Sequence, residues 1–173
     1  MIRPATEADA AAVLSIYAPV VLESVATFEV QPPSEDEIRR RIKKVTKSFP
    51  WLVAERDGEV AGYAYATSYH PRPAYAWSCE VSVYVGAGGR GAGTGRSLLT
   101  ELLGRLLDAG FVNATARIAL PNDASVRLFE AAGFEEIGRA CGIGFKLGRW
   151  VDVGEWQKQL NARAADPSLP KPP

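Results

Sequence analysis

Residues 81–111 constrain the fold more than any other part of this 173-residue chain. The stretch begins with apolar side chains at Val81, Val83 and Val85, and this period of two predicts a β-strand. Leucines then recur at the spacing of an amphipathic helix. Gly110 follows them, and glycine is the residue that most often ends a helix in the left-handed conformation. The stretch is therefore predicted to be a strand followed by a helix.

A glycine-rich turn joins this strand to this helix. It contains Gly86, Gly88, Gly89, Gly91, Gly93 and Gly95. The first N–H groups of a helix have no acceptor within the helix, and the helix dipole makes them partly positive. Glycines let a phosphate approach such a backbone because no Cβ stands in the way. The turn therefore predicts an anion-binding site, whereas a plain tight turn would need only one or two glycines.

Two common phosphate-binding motifs fit this turn poorly. A Walker A loop fails because Arg90 stands where its first glycine belongs and Arg96 stands where its lysine belongs. The dinucleotide motif G-x-G-x-x-G is present over residues 86–91. That motif also needs an acidic residue at the end of the next strand, and residues 112–120 contain none. In a stretch this rich in glycine, a chance match to the dinucleotide motif is easy.

A third sequence motif fits the glycine-rich turn better. The pattern R-x-x-G-x-G occurs at Arg90, Gly93 and Gly95. It resembles the loop that binds the pyrophosphate of coenzyme A in the GNAT superfamily of N-acetyltransferases.

Composition narrows the class of protein. The formal net charge is zero, so neither a nucleic-acid nor a membrane surface is indicated. No apolar run approaches the roughly 20 residues of a membrane span, and the N-terminus lacks the pattern of a signal peptide. Cys79 and Cys141 form no C-x-x-C pattern, and His70 is the only histidine. We therefore expect no metal site and a cytoplasmic location.

The rest of the chain predicts an α+β fold. The expected elements are strands at 2–5, 51–55, 60–68, 76–85, 112–120, 134–141 and 150–159, and helices ending near Pro19, at 35–47, after the glycine turn and at 122–133. Asp57-Gly58 signals a hairpin, and residues 142–148 are expected to form a loop. This order predicts one mixed sheet of about seven strands with about four helices, in a single domain over residues 1–160. Residues 161–173 contain four prolines and are expected to be a disordered tail.

Further stretches narrow the resemblance. They are I-A-L-P-N-D-A-S-V-R-L-F-E-A-A-G-F at 118–134, G-F-K-L-G-R-W-V-D-V at 144–153, W-L-V-A-E-R-D-G-E-V-A-G-Y-A-Y-A at 51–66 and R-P-A-Y-A-W-S-C-E-V-S-V-Y-V at 72–85. Over about residues 2–160 the chain resembles the phosphinothricin acetyltransferase group of that superfamily. The group acetylates the α-amino group of glutamate-like and methionine-derived compounds. The resemblance therefore implies acetyl-CoA as the donor and a small amino-acid-like amine as the acceptor.

The resemblance carries the role of general base to Glu80, three residues before the V-Y-V triplet. The attacking amine must be neutral, and an amino-acid ammonium is mostly protonated at pH 7. A carboxylate at the mouth of the site can take that proton, directly or through water. The alternative for Glu80 is an ion-paired acid at a strand end.

The resemblance also implies which residues hold acetyl-CoA. Backbone groups of Val83, Tyr84 and Val85 would contact the acetyl-pantetheine arm, and an amide of this strand would polarise the thioester carbonyl. The pyrophosphate would lie against Arg90, Gly91, Ala92, Gly93, Thr94, Gly95 and Arg96. Asn122 and Ser125 match the family's positions near the pantetheine arm, although a role as helix N-cap would explain Asn122 equally well.

The chain departs from the group at two places. Phe129 stands where the group often has histidine and the superfamily a tyrosine, and phenylalanine cannot donate a proton. Either water or another group protonates the leaving thiolate, or the thiolate leaves unprotonated. In the loop before Glu80, the group's two basic positions are His70 and Arg72. These residues would hold a substrate carboxylate by charge-assisted hydrogen bonds, and histidine does so more weakly than the usual base.

Tyr75, Phe28 and Lys146 are implied as walls of the substrate pocket, with ordinary packing as the alternative for each. Three functions stay open from the sequence. The chain could acetylate the α-amine of a small amino acid within a ternary complex, acetylate a protein N-terminus or lysine, or bind acyl-CoA without catalysis. The missing donor at Phe129 allows the third function, and Glu80 argues against it. The resemblance further implies a homodimer with the substrate pocket near the subunit interface.

Overall fold

A computed structural model describes residues 1–172 of the chain. Its elements, in chain order, are β1 (Ile2–Pro4), α1 (Ala10–Glu23), α2 (Glu35–Val45), β2 (Trp51–Arg56), β3 (Glu59–Ser68), β4 (Ser78–Val85), α3 (Thr94–Ala109), β5 (Asn113–Leu120), α4 (Asp123–Ala131), β6 (Glu135–Lys146) and β7 (Arg149–Gln159). The seven strands form one sheet in the order β1-β2-β3-β4-β5-β7-β6. Only β4 and β5 run parallel, and every other pair is antiparallel. The predicted mixed sheet with four helices is confirmed.

Helices cover both faces of this sheet. Helices α1 and α2 pack on one face, where Val13 and Ile38 meet Val53 and Tyr63 in one apolar cluster. Helices α3 and α4 pack on the other face, where the leucines of α3 form a second cluster that includes Val81. Because successive side chains of a strand point to opposite faces, each position on β4 and β5 is assigned to one of these two surfaces. We call them the α1/α2 face and the α3/α4 face.

Helix α1 continues four residues beyond Pro19, where the sequence predicted its end. Proline removes one intrahelical hydrogen bond, which is costly in a helix interior. Pro19 lies on the exposed side, whereas Ile16, Tyr17 and Val21 continue a buried stripe along the same helix. Burial of that stripe therefore outweighs the lost hydrogen bond.

The predicted loop at 142–148 is wrong, because β6 extends through it to Lys146. The strand keeps its pairing with β7 by a register shift between Ala140 and Gly144, and Gly142 has a φ of 55° within that shift. The hairpin turn is only Leu147 and Gly148, both with positive φ.

Residues 161–172, expected to form a disordered tail, contain no helix or strand but contact the domain at several points. Asn161 Nδ2 donates to the carbonyls of Leu107 and Phe111. The Trp77 indole donates to Ser168 O at 2.8 Å, and Lys171 N donates to Ala109 O. The tail prediction for Pro173 lies outside the described residues.

Candidate active site

The central feature of the site is a gap between β4 and β5. The two strands pair only from Ser78 opposite Asn113 to Glu80 opposite Thr115. Beyond these pairs β4 continues to Val85 and β5 continues to Leu120 without pairing to each other. Their facing backbone groups are therefore free for a ligand, in the way that a sheet edge accepts an added strand. We call this wedge the β4–β5 gap, and Glu80 lies at its apex.

The glycine-rich turn lies at the wide end of this gap. A Cβ on Gly89 would lie 2.6 Å from the carbonyl oxygen of Ala61, so only glycine fits there. Gly93 caps α3 with a φ of 77°, and the first hydrogen bond at this end of the helix runs from Ser97 N to Gly93 O. The amides of Thr94, Gly95 and Arg96 therefore lie ahead of that first bond, at the positive end of the helix.

Two arginines add positive charge to this turn. Arg90 and Arg96 are exposed, and neither forms an ion pair within residues 1–172. An exposed guanidinium without a carboxylate partner is available to a phosphate. Helix-end amides and two available cations fit the pyrophosphate of coenzyme A.

Asn122 occupies the predicted N-cap of α4. Its Oδ1 accepts a hydrogen bond from Ser125 N at 3.2 Å, so one function of both residues is to start this helix. The Nδ2 group of Asn122 makes no hydrogen bond to any described residue. That donor is available at the open end of β5.

Glu80 points to the α1/α2 face, because its neighbours Cys79 and Val81 are buried in the cluster on the opposite face. Its side chain is 19% exposed. Arg117 of β5 donates from Nε to Glu80 Oε2 at 2.8 Å, and its Nη2 forms an ion pair with the same oxygen at 2.5 Å. Both contacts fall on Oε2, and no described residue donates a hydrogen bond to Oε1.

Arg117 has a second carboxylate near it. Glu155 of β7 is its register partner across the β5–β7 pair, and both lie on the α1/α2 face. The Arg117 pKa is raised by its hydrogen bond to Glu80 and, to a smaller degree, by the charges of Glu80 and Glu155. Tyr69 faces the same group, and the negative charge of Glu155 is the largest cause that raises its pKa.

Sequence reasoning missed Arg117, Glu155 and Tyr69. Arg117 had one available signal, since it is the only charged residue in the strand Asn113–Leu120. A single charge on an otherwise apolar strand is expensive unless it has a partner. Nothing in the sequence indicates that Glu80 is that partner.

The predicted substrate residues fall into two groups. In the β3–β4 loop, the Tyr75 ring lies 5.1 Å from the ring of His70 and 5.5 Å from that of Tyr69. Arg72 is exposed beside them. Through Tyr69 this loop reaches the charges of Arg117, so the first group lies at the Glu80 end of the site.

The second group is Phe28 and Lys146. Lys146 is only 5% exposed, and its Nζ donates to Thr27 O at 2.8 Å. Burial is the main cause that lowers the Lys146 pKa. The Phe28 ring lies so close to Gly144 that a Cβ there would be 2.4 Å away. These contacts fasten the α1–α2 loop to β6, and within residues 1–172 neither side chain forms a hydrogen bond or ring contact with His70 or Arg72.

A cavity of about 480 Å³ opens on the α1/α2 face. Tyr65, Thr67 and Ser68 of β3 line it, and Thr67 is the register partner of Glu80. The ion pair of Arg41 with Glu29, 2.6 Å long, lies on its other wall. The cavity therefore lies beside the candidate base.

Burial decides whether position 129 or a cysteine thiol can take part in the chemistry, the first as a proton donor and the second as a nucleophile. Phe129 is 5% exposed and packs edge-on against Phe134, with ring centres 5.1 Å apart. Cys79 is fully buried, and burial raises the pKa of its thiol to about 12. Cys141 is exposed on β6, the outermost strand. Neither thiol is placed to act as a nucleophile beside Glu80.

Two further properties hold for the part of the chain that the structure describes. None of its helices has both the length and the apolar character required to cross a membrane. Its histidine, cysteine, aspartate and glutamate side chains form no group of three or more suited to a metal ion.

The matches of this chain to known proteins agree on one protein family. Residues 2–154 match the family model described as the acetyltransferase (GNAT) domain. The phosphinothricin N-acetyltransferase of Streptomyces viridochromogenes is 42% identical over 99% of this chain and 90% of its own length. The L-methionine sulfoximine/L-methionine sulfone acetyltransferase of Salmonella typhimurium is 34% identical over 95% of this chain and 96% of its own length.

Among solved structures, a GNAT superfamily phosphinothricin acetyltransferase from Sinorhizobium meliloti in complex with acetyl-CoA matches with a TM-score of 0.93. It is 39% identical, and the match covers 97% of this chain and 92% of that one. With the β4–β5 gap and its glycine-rich turn, these findings show that the chain belongs to the GNAT family of acetyltransferases.

Proposed function

We propose that this chain transfers acetyl from acetyl-CoA to the α-amino group of a small amino acid or analogue, of the phosphinothricin or methionine sulfone and sulfoximine type. The observation that carries this proposal is the position of Glu80. Its carboxylate lies at the apex of the β4–β5 gap and beside the cavity on the α1/α2 face. The names of the relatives support the choice of acceptor.

The donor would be held by backbone more than by side chains. The amides at the start of α3, with Arg90 and Arg96, would bind the pyrophosphate. The unpaired backbone of β4 from Val83 to Val85 would accept the pantetheine arm as an added strand, with Asn122 Nδ2 opposite it. One of these amides would donate to the thioester carbonyl as negative charge develops on its oxygen.

Glu80 would act as the general base. An α-ammonium must lose one proton before its nitrogen can attack and a second as the amide forms, and Glu80 Oε1 accepts no hydrogen bond from Arg117. Glu80 takes the first proton, directly or through water, and releases it to solvent. It takes the second proton in the same way as the C–N bond forms and the C–S bond breaks. Phe129 is buried in the core and has no proton to give, so the thiolate leaves and takes its proton from solvent.

The transfer would occur by direct attack in a ternary complex. A relay through an acyl-enzyme would need a thiolate near the thioester, and the raised pKa of Cys79 disfavours one. Initial rates measured across both substrate concentrations are therefore expected to give intersecting double-reciprocal lines. Parallel lines, with transfer of label from acetyl-CoA to the protein alone, would contradict direct attack.

The size of the cavity favours a small acceptor over a protein, because a free amino acid of a few carbons fits within about 480 Å³. Glu29 of the α1–α2 loop lines this cavity. The same loop is fastened by the bond from Lys146 to Thr27 and by the packing of Val25 against Ala119 and Val151, which limits its movement to admit a peptide.

The test is a thiol-release assay with acetyl-CoA and a panel of amines. The panel contains phosphinothricin, methionine sulfone, the common amino acids and a short peptide. E80Q is expected to lower kcat by about 10²-fold or more, within the range that a positioned base contributes. E101Q is the matched control, because Glu101 forms an ion pair with Arg105 on α3, away from the gap. Unchanged kcat in E80Q would remove Glu80 as the base, and turnover of the peptide alone would favour the protein acceptor.

We propose further that the chain forms a homodimer through the β6–β7 hairpin. Large apolar side chains are exposed there, namely Ile137, Ile143, Phe145, Leu147 and Trp150. Strand β6 is also an unpaired edge of the sheet, and a second copy would cover both features. Sedimentation is expected to give a dimer for the wild type and a monomer for F145S/W150S. L169S removes an exposed apolar side chain outside the hairpin and is expected to stay dimeric.

The cytoplasm is the proposed location. Both cysteines are free thiols, and Cys141 is exposed, which suits a reducing compartment. Cell fractionation with an antibody against the protein would test this, and recovery outside the cytoplasmic fraction would contradict it.

A further inference from the structure

Glu155 carries the one carboxylate oxygen among the buried polar atoms that lack a hydrogen-bond partner in residues 1–172; the others are the indole nitrogens of Trp51 and Trp156. Its Oε1 is buried and accepts no hydrogen bond from any described residue. A buried carboxylate oxygen without a donor is costly, so it calls for a physical reason. The residue opposite Glu155 in the sheet is Arg117, whose guanidinium in this structure contacts Glu80 instead.

Arg117 is free to change partner. Its side chain is 58% exposed, so solvent and not packing surrounds much of it. Glu80 and Glu155 lie on the same face of the sheet as Arg117, one on each neighbouring strand. One cation thus stands between two carboxylates, and in this structure it hydrogen-bonds Glu80 and not Glu155.

Proton transfer during catalysis changes which of these two carboxylates attracts Arg117 more strongly. While Glu80 is ionised, the charge-assisted pair with Arg117 is strong. When Glu80 takes the proton of the acceptor ammonium, that pair loses its charge attraction. Glu155 then offers the only unneutralised carboxylate of the two, with an oxygen that still lacks a donor.

We propose that Arg117 is a mobile counter-ion that pairs with Glu80 while Glu80 is ionised and moves to Glu155 when Glu80 is protonated. The inference rests on the proposed role of Glu80 as base. Each of the two protons that the acceptor nitrogen loses passes to Glu80 and then leaves to solvent. Arg117 keeps its charge and exchanges one carboxylate for the other. Arg117 and Glu155 are therefore positioning residues, and Glu155 prevents Arg117 from holding Glu80 as a permanent ion pair.

Three tyrosines next to the pair keep their protons close to neutral pH. Tyr65 of β3, Tyr84 of β4 and Tyr69 of the β3–β4 loop contribute to the electrostatic environment of Glu80 or Arg117. Burial raises the pKa of Tyr65 and Tyr84, and the charge of Glu155 raises that of Tyr69. All three stay neutral while Glu80 exchanges its proton.

A crystal structure of E80Q tests the movement without any turnover. The amide has the shape of a protonated carboxyl group and carries no charge. Arg117 is expected within hydrogen-bond distance of Glu155 Oε1 in that variant. The proposal is overturned if Arg117 remains against the amide at position 80 or extends into solvent. A wild-type protein that acetylates no amine would refute the proposed function, and this structure would still locate Arg117.

Kinetic measurements test whether the movement of Arg117 affects turnover. E155Q is expected to lower kcat by about tenfold, a fraction of the roughly 10²- to 10⁴-fold that a general base contributes. The KM for acetyl-CoA should stay unchanged. In the R117M background, the same E155Q substitution is expected to have no effect, because no cation remains to hold Glu80. Equal effects of E155Q in both backgrounds would refute the proposal.

The pH dependence of kcat separates positioning from mere structural support. E155Q leaves Arg117 on Glu80 and should move the acid limb of the profile to lower pH. R117M removes the cation and should move the acid limb to higher pH. Each of the two shifts is expected to be about one pH unit, the low end of the pKa change that a neighbouring charge causes. E101Q is the control and should move the acid limb in neither direction. Shifts of the same sign in E155Q and R117M would contradict the shared counter-ion.

Discussion

Substitution of Gly89 by alanine tests whether the shape of the glycine-rich turn makes the coenzyme site. The new Cβ would lie 2.6 Å from the carbonyl oxygen of Ala61 and 2.9 Å from Cγ1 of Val85. The Ala61 carbonyl already accepts a hydrogen bond from Gly86 N at 2.9 Å, so it is held in place by backbone. The turn must therefore move away from β3, because the strand cannot.

The change in stability expected for G89A follows from two opposing contributions. Overpacking of this kind costs roughly 1–3 kcal/mol, while replacing glycine restricts the unfolded chain and returns about 0.4–1 kcal/mol. The expected net loss is about 1–2 kcal/mol in the free energy of unfolding. For a domain of this size each kcal/mol shifts Tm by roughly 2–4 °C, so G89A should lower Tm by about 2–8 °C.

Gly88 supplies a matched control. A Cβ there would meet no atom within 4 Å, and its φ is not positive, so G88A makes the same chemical change without the clash. Thermal unfolding of G88A is expected to match the wild type or to rise slightly. Calorimetric titration with acetyl-CoA should give affinity about tenfold weaker for G89A, since the displaced turn carries Arg90 and leads into α3. Equal Tm and equal affinity in G88A and G89A would refute this account of the turn.

Three more outcomes follow from single contacts. A hydrogen bond from Arg3 is the main cause that lowers the pKa of Asp9 from 3.8 to about 2. Because the folded protein favours the ionised carboxylate, Asp9 contributes about 2 kcal/mol to the free energy of unfolding above pH 4. This contribution is lost as the pH falls through 2. Urea unfolding of D9N from pH 7 to 2 should lack that part of the pH dependence. R96A should raise the KM for acetyl-CoA about tenfold with kcat nearly unchanged, and less at high salt, because an exposed charge is screened. K146M removes the donor to Thr27 O and should raise the acceptor KM severalfold, whereas the Kd of acetyl-CoA measured by calorimetry stays unchanged.

Local chemistry explains what could be predicted from the sequence. Asp57 and Gly58 have φ values of 52° and 83°, the left-handed pair that the two-residue hairpin needs. Gly110 ends α3 with a φ of 94°, as its position after the last leucines indicated. Each of these features depends on residues adjacent in the chain, so spacing alone was sufficient.

Features that depend on the rest of the molecule could not be predicted in this way. Pro19 would end an isolated helix, yet α1 is stabilised by the buried stripe that packs on the sheet. The glycines near Gly142 suggested a loop, yet pairing with β7 on both sides of a register shift keeps β6 extended. In both cases tertiary burial or pairing outweighed a local preference.

The charged cluster shows the same limit within the active site. Glu80, Arg117 and Glu155 are separated by 37 and 38 positions along the chain. They meet because Glu80 pairs with Thr115 and Arg117 pairs with Glu155. A shift of either register by one residue would place one of them on the opposite face of the sheet. Resemblance to a family located Glu80, but only the register of this chain places a cation and a second acid beside it.

Strand alternation also decides which chemistry this site can perform. Cys79 and Glu80 are adjacent in β4, yet the thiol lies in the core under α3 and α4, while the carboxylate points to the α1/α2 face, where its strand partner Thr67 lines the cavity. In the proposed reaction, the glycine-rich turn would bind the donor at the wide end of the gap, and the acceptor would reach the apex from the α1/α2 face. The two substrates would then meet where the pairing of β4 with β5 ends, beside Glu80. Because the Cys79 thiol lies on the opposite face of the sheet, this arrangement favours direct transfer over a cysteine acyl-enzyme.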